Sequence, residues 1–76
     1  MDIIERIIID EGIRHGKPVI KGTRVPVDII LGVLAGGMSY QEICEDYEIT
    51  EEDIKAAIEY AARLVAGEEV YILEAV

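Results

Sequence analysis

Apolar positions along this chain follow two different periods, and the change between them falls at Pro26. Ahead of it, Glu5-Arg6-Ile7-Ile8-Ile9-Asp10 is a β-branched run too short for a helix, closed by the turn-forming Asp10-Glu11-Gly12. Pro18-Val19-Ile20-Lys21-Gly22-Thr23 offers a second brief strand, and the two predict an antiparallel hairpin across the Gly12 to Gly16 loop. From Pro26 the spacing becomes helical: Val27, Ile30, Leu31 and Leu34 form one stripe, with Pro26 in the first turn and Gly36-Gly37 as the stop. Tyr40, Ile43, Cys44 and Tyr47 repeat that stripe behind the capping box Ser39…Glu42. After the connector Glu48-Ile49-Thr50, a longer helix carries Ile54, Ala57, Ile58, Ala61, Leu64 and Val65 on one face until Gly67, with Thr50 as its N-cap and Asp53 at its third position. Val70-Tyr71-Ile72-Leu73 is β-prone and is expected to add a strand to the hairpin or to a neighbouring chain.

A short helix, a tight turn and a longer helix, preceded by one more helix, make the three-helix version of the helix-turn-helix unit. The expected fold is therefore mostly α with a small β part. It forms one domain over residues 1–76, with a β-hairpin arm over 1–25, a three-helix core over 26–66 and a C-terminal strand or tail over 67–76.

Composition limits how that fold is held. The chain is 51% hydrophobic but only 5% aromatic, all of it tyrosine, so the core must be built from Ile, Val, Leu and Ala. A core of this kind in so short a chain supplies roughly 3–5 kcal/mol, and small domains usually add a staple. Cys44 and His15 are each the only residue of their type, which excludes an internal disulfide and a four-ligand zinc site within one chain. Self-association remains, and a homodimer is expected because hairpin and tail need cover. With no long apolar run and no leader-like segment, the expected location is the cytoplasm, without a membrane anchor.

Charge changes the picture most. The net charge is -9, and it is divided unevenly. Arg6, Arg14, Lys17, Lys21 and Arg24 outnumber Asp2, Glu5, Asp10 and Glu11 in the front third, whereas Lys55 and Arg63 are the only bases behind Arg24. Any anion-binding surface belongs at the front.

Candidate chemistry is sparse. Gly16-Lys17-Pro18 and Gly22-Thr23-Arg24 look like a phosphate cradle, but they lack the Walker spacing, and Pro18 and Pro26 have no N–H to give an anion. Gly16 and Gly22 are read as turn positions and Thr23 as a local cap for the first helix. Arg24 is read as an ion-pair former toward Asp28 or an acid on the later helices. His15 in a turn has no nucleophile beside it in a recognisable motif, Cys44 sits on an apolar stripe, and the carboxylates from Glu42 to Asp53 lack calcium-loop spacing. The tyrosines read as core-edge packing. No enzyme activity, cofactor or metal is expected.

The order Gly16-Lys17-Pro18-Val19-Ile20-Lys21-Gly22-Thr23-Arg24-Val25-Pro26-Val27, then Gly36-Gly37, Ser39-Tyr40-Gln41-Glu42-Ile43, Tyr47 and Thr50-Glu51-Glu52-Asp53-Ile54-Lys55-Ala56-Ala57 resembles the family catalogued as domain of unknown function 433. The resemblance covers about residues 6–66. It implies a homeodomain-like three-helix core behind a β-hairpin, and a role as the antitoxin-like partner of a nuclease-like toxin related to the PIN domain.

Fold analogy would send the third helix into a DNA groove, but its first turns present Glu51, Glu52, Asp53, Lys55 and Glu59. Phosphate contact needs cations, so that mode is disfavoured. The expected function is a non-enzymatic protein-binding domain, with Val70, Tyr71, Ile72 and Leu73 as the segment offered to a partner's sheet edge. One alternative is a transcriptional autoregulator touching DNA through Arg14, His15, Lys17, Lys21 and Arg24, doubled in a dimer. Another is a homodimeric structural domain with neither ligand.

Overall fold

A computed structural model describes residues 2–67 and 70–72. In chain order the elements are β1 (Asp2–Ile4), β2 (Ile7–Ile8), a single 3-10 turn (Arg14–Gly16), β3 (Val19–Ile20), α1 (Val27–Ala35), α2 (Tyr40–Tyr47), α3 (Glu51–Val65) and β4 (Val70–Ile72). The expected mostly helical fold with a small β part is what the chain adopts.

The hairpin is short but fully inserted. β2 and β3 pair antiparallel with Ile7 opposite Ile20 and Ile8 opposite Val19, and all four side chains are buried. A half-solvated strand would alternate buried and exposed positions; here Ile7 and Ile20 join Ile30, Ile43 and Ile54 in one aliphatic cluster, and the pair on the opposite face, Ile8 and Val19, is buried as well. The backbone stitches this hairpin to α1. The Val27 N–H, one of the helix's unpaired first donors, donates to Pro18 O at 2.9 Å, and Val19 bridges to Pro26.

Both later helices start on reciprocal capping boxes. Ser39 Oγ accepts from Glu42 N and Glu42 Oε1 accepts from Ser39 N; Thr50 and Asp53 repeat the arrangement on α3. Between them Glu48 takes a left-handed conformation at φ 56°, which ends α2 and drops Ile49 into the core at 6% exposure. Tyr40, Cys44, Tyr47 and Tyr60 are half-buried around that core, as expected for edge packing.

Several expectations need correction. The first strand does not run Glu5–Asp10: Glu5 and Arg6 turn between β1 and β2. β4 does not join the hairpin. It pairs parallel with β1, Asp2 opposite Val70 and Ile4 opposite Ile72, and Leu73 lies outside the described residues. Thr23 does not cap α1. Its Oγ1 donates to Ile20 O at 2.8 Å and accepts from Val25 N at 3.0 Å, closing the turn after β3, while Pro26 occupies the N-cap with no side-chain cap bond. Gly16 and Gly22 do serve the turns, each at φ +83°.

Helix lengths leave one stripe uncovered. α3 has fifteen residues and α1 nine, roughly 22 Å against 14 Å. The apolar stripe of α3 is therefore sealed at its first turns, where Ile54 and Ala57 are fully buried, and open at its last, where Leu64 is 52% and Val65 89% exposed.

Candidate functional site

Three surfaces among the described residues are candidates for recognising a ligand. The first is the basic front, and the fold divides it. Arg14, His15 and Arg24 line one hollow of about 450 Å³ together with Glu11 and Gly12. Arg14 and His15 both have left-handed backbones, φ 53° and 56°, and Arg14 Nε donates to Arg24 O at 3.1 Å. Lys17 faces elsewhere: its Nζ sits 3.3 Å from Asp28 Oδ2, so the pairing expected of Arg24 with Asp28 is made by Lys17. Lys21 stands in the turn after β3, its N–H donating to Arg6 O at 2.8 Å. Five predicted contacts thus reduce to one group of three and two outliers.

The second surface is acidic. Glu42, Glu45, Asp46, Glu48, Glu51 and Glu52 are all exposed along α2, its connector and the start of α3. Lys55 pairs with Glu51 at 3.3 Å, and Arg63 with Glu59 at 2.9 Å, each one helical turn apart. The hydrogen bonds from Ser39, backbone first and then side chain, hold the Glu42 carboxyl below its ordinary value.

Asp53 breaks the pattern of that surface. Its side chain is 12% exposed, and Arg6 Nη1 reaches its Oδ1 at 3.0 Å while Thr50 N donates to its Oδ2. Sequence reading placed Asp53 among the helix-end acids and gave Arg6 no role. Only the odd cation in an otherwise β-branched run hinted at a partner.

The third surface is apolar. A groove of about 290 Å³ between α1 and α3 is lined by Lys17, Pro18, Val27, Asp28, Leu31, Tyr60, Ala61 and Leu64. Burial beside this groove holds the Tyr60 phenol above its ordinary value.

Among the described residues no group of three or more His, Cys, Asp or Glu is placed to hold a metal ion, and no helix is long and apolar enough to cross a membrane. The thiol and the base weighed from the sequence lie on separate elements, Cys44 half-buried against the core on α2 and His15 exposed in the 3-10 turn.

Comparison with known proteins places this geometry among relatives. Residues 7–61 match the model of a family described as Protein of unknown function (DUF433). A protein of Mycobacterium tuberculosis (strain ATCC 25618 / H37Rv) named "Putative antitoxin VapB45" is 30% identical over 56 residues, which is 74% of this chain and 23% of that protein. An uncharacterized protein of Archaeoglobus fulgidus is 60% identical over 25 residues, 33% of this chain and 69% of that protein. The X-ray crystal structure of Rv2018 from Mycobacterium tuberculosis matches with a TM-score of 0.59 at 31% identity, covering 63% of this chain and 22% of that one. The chain spans less than a quarter of the length of either mycobacterial protein.

Proposed function

The chain belongs to the DUF433 family, and from that membership we propose that it is a non-enzymatic protein-binding domain, the antitoxin-like partner of a nuclease-like toxin. The observation that carries this reading is that all six acids from Glu42 to Glu52, namely Glu42, Glu45, Asp46, Glu48, Glu51 and Glu52, are exposed. They occupy the helix pair that a helix-turn-helix protein would turn toward nucleic acid. A duplex surface is a dense array of negative charge, and binding it requires cations that displace counterions. Six exposed carboxylates on this helix pair, one of them, Glu51, paired to Lys55, repel it. The same six attract a basic protein surface, raise the encounter rate and set the docking orientation. The relative named as an antitoxin supports the same class of role, over a shared segment that covers most of this chain.

Co-expression of the tagged chain with the open reading frame beside it tests the reading. The expected result is a complex that survives gel filtration at low salt and weakens as NaCl rises. Loss of binding on reversing Glu45 and Glu48 to Lys places the contact on the acidic face; a neighbour that never co-elutes removes the proposal.

A second reading rests on the grouping of Arg14, His15 and Arg24 around one hollow. In it the domain touches the DNA backbone through the front, as an autoregulator. A mobility shift on the chain's own upstream region at low salt, lost in an Arg14→Ala/Arg24→Ala variant, is its expected signature.

A further inference from the structure

The groove between α1 and α3 has the character of an interface left open. Of the four large apolar side chains exposed among the described residues, Ile58, Leu64 and Val65 are on the second half of α3. At 100° per residue Ala61 lies between Leu64 on one side and Ile58 and Val65 on the other, so the apolar lining of the groove continues outward across the helix without a charged residue intervening. The other wall, α1, reads Val-Asp-Ile-Ile-Leu-Gly-Val-Leu-Ala and has Asp28 as its one charged residue. A helix apolar on nearly all sides belongs inside something larger than the fold that presents it. Among the described residues, the shorter α1 leaves the end of the α3 stripe exposed.

Charge distribution identifies the occupant. Two copies at -9 each repel one another, so they can meet only across a face with no surplus of acid. The groove's charged lining is Lys17 and Asp28, already paired at 3.3 Å and summing to zero. A strongly basic partner, by contrast, is steered to the acidic run on α2 and α3 and gains nothing from this face. A rim holding one cation and one anion is also self-complementary: about a two-fold axis, Lys17 of each copy can face Asp28 of the other.

We propose that the α1–α3 groove, with Ile58, Leu64 and Val65, seats a second copy of this chain in an isologous dimer. This interface is separate from the acidic face invoked for toxin binding, and the two respond to salt in opposite directions. A contact between like-charged copies across a neutral apolar patch tightens as salt screens their repulsion, whereas an acid-to-base contact loosens.

Sedimentation equilibrium of the full chain from micromolar to millimolar concentration, at 50 and 500 mM NaCl, decides it. The expected result is a species of twice the 8.4 kDa chain mass whose dissociation constant falls at the higher salt. Leu64→Glu is expected to weaken association by on the order of 100-fold, and Val65→Glu to act in the same direction. Both sites are more than half exposed in the single chain, so circular dichroism melts should stay near the parent's and separate lost association from lost folding. Glu45→Lys, on the acidic face, should leave the dimer as tight or tighter. A chain that stays monomeric to millimolar concentration, a dimer that survives Leu64→Glu, or one that loosens as salt rises would each overturn the proposal.

Discussion

Arg6 Nη1 lies 3.0 Å from Asp53 Oδ1, tying the turn between β1 and β2 to the first turn of α3 across 47 positions of sequence. Asp53 is the buried member of the pair and also closes the capping box with Thr50. Arg6 remains half exposed, so water screens its side of the pair. Asp53→Ala should therefore cost about 2–3 kcal/mol, by removing a cap and leaving Thr50 N without its acceptor. Arg6→Ala should cost about 0.5–1 kcal/mol. Urea unfolding of both single variants and the double variant gives the coupling directly, and a larger loss for Arg6→Ala than for Asp53→Ala would reverse the assignment.

Ile49 lies in the three-residue connector between α2 and α3 yet is 6% exposed. Substitutions in loops usually change stability by less than about 0.5 kcal/mol. Ile49→Ala is expected to behave as a core truncation instead, costing about 2–4 kcal/mol, comparable with Ile43→Ala on α2. Chemical denaturation of the two variants side by side makes the comparison.

Glu48 holds a left-handed conformation at the end of α2, where glycine has no steric cost. Glu48→Gly should raise stability by about 0.5–1 kcal/mol, visible as a higher denaturation midpoint at unchanged slope. It removes one acid from the proposed docking face as well, so the more stable variant should bind a basic partner less tightly.

The Glu42 carboxyl is held below its ordinary value by the Ser39 capping bonds. A carboxyl with a lowered folded pKa adds stability that is present above its unfolded pKa and lost as pH falls through the folded one. Ser39→Ala keeps the backbone donor, the larger cause, and removes only the hydroxyl, so it should move the Glu42 titration, followed by NMR, part of the way back up and should slightly flatten the acid limb of the stability curve just below the ordinary carboxyl range.

Much of this molecule was legible because its signals are local. The capping box at Ser39…Glu42, the N-cap at Thr50, a stripe at helical spacing and the stops at Gly36-Gly37 and Gly67 placed all three helices. β-branching with turn residues placed the hairpin. What escaped depends on contacts distant in sequence. Nothing near Arg6 announces Asp53, and an acid at the third position of a helix is ordinarily solvated, so its burial depends on where the β1–β2 turn lands. Pairing of β4 with β1 was hidden in the same way, since a three-residue strand carries no information about its neighbour. Thr23 misled because a hydroxyl just ahead of a helix usually caps it; here the turn back from β3 uses the hydroxyl first. The division of the basic front was equally invisible, because Lys17 and Arg24 are equivalent as charges until the fold turns Lys17 toward Asp28.

That the acidic residues of α2 and α3 meet protein and not nucleic acid is tested most directly by calorimetric titration of the neighbouring gene's product into the chain at 50 and 500 mM NaCl. The predicted result is saturable binding at low salt that weakens at least tenfold at high salt and disappears in a Glu45→Lys/Glu48→Lys variant. Absence of heat at both salts, with the parent chain shifting a duplex at low salt through α3, would contradict it.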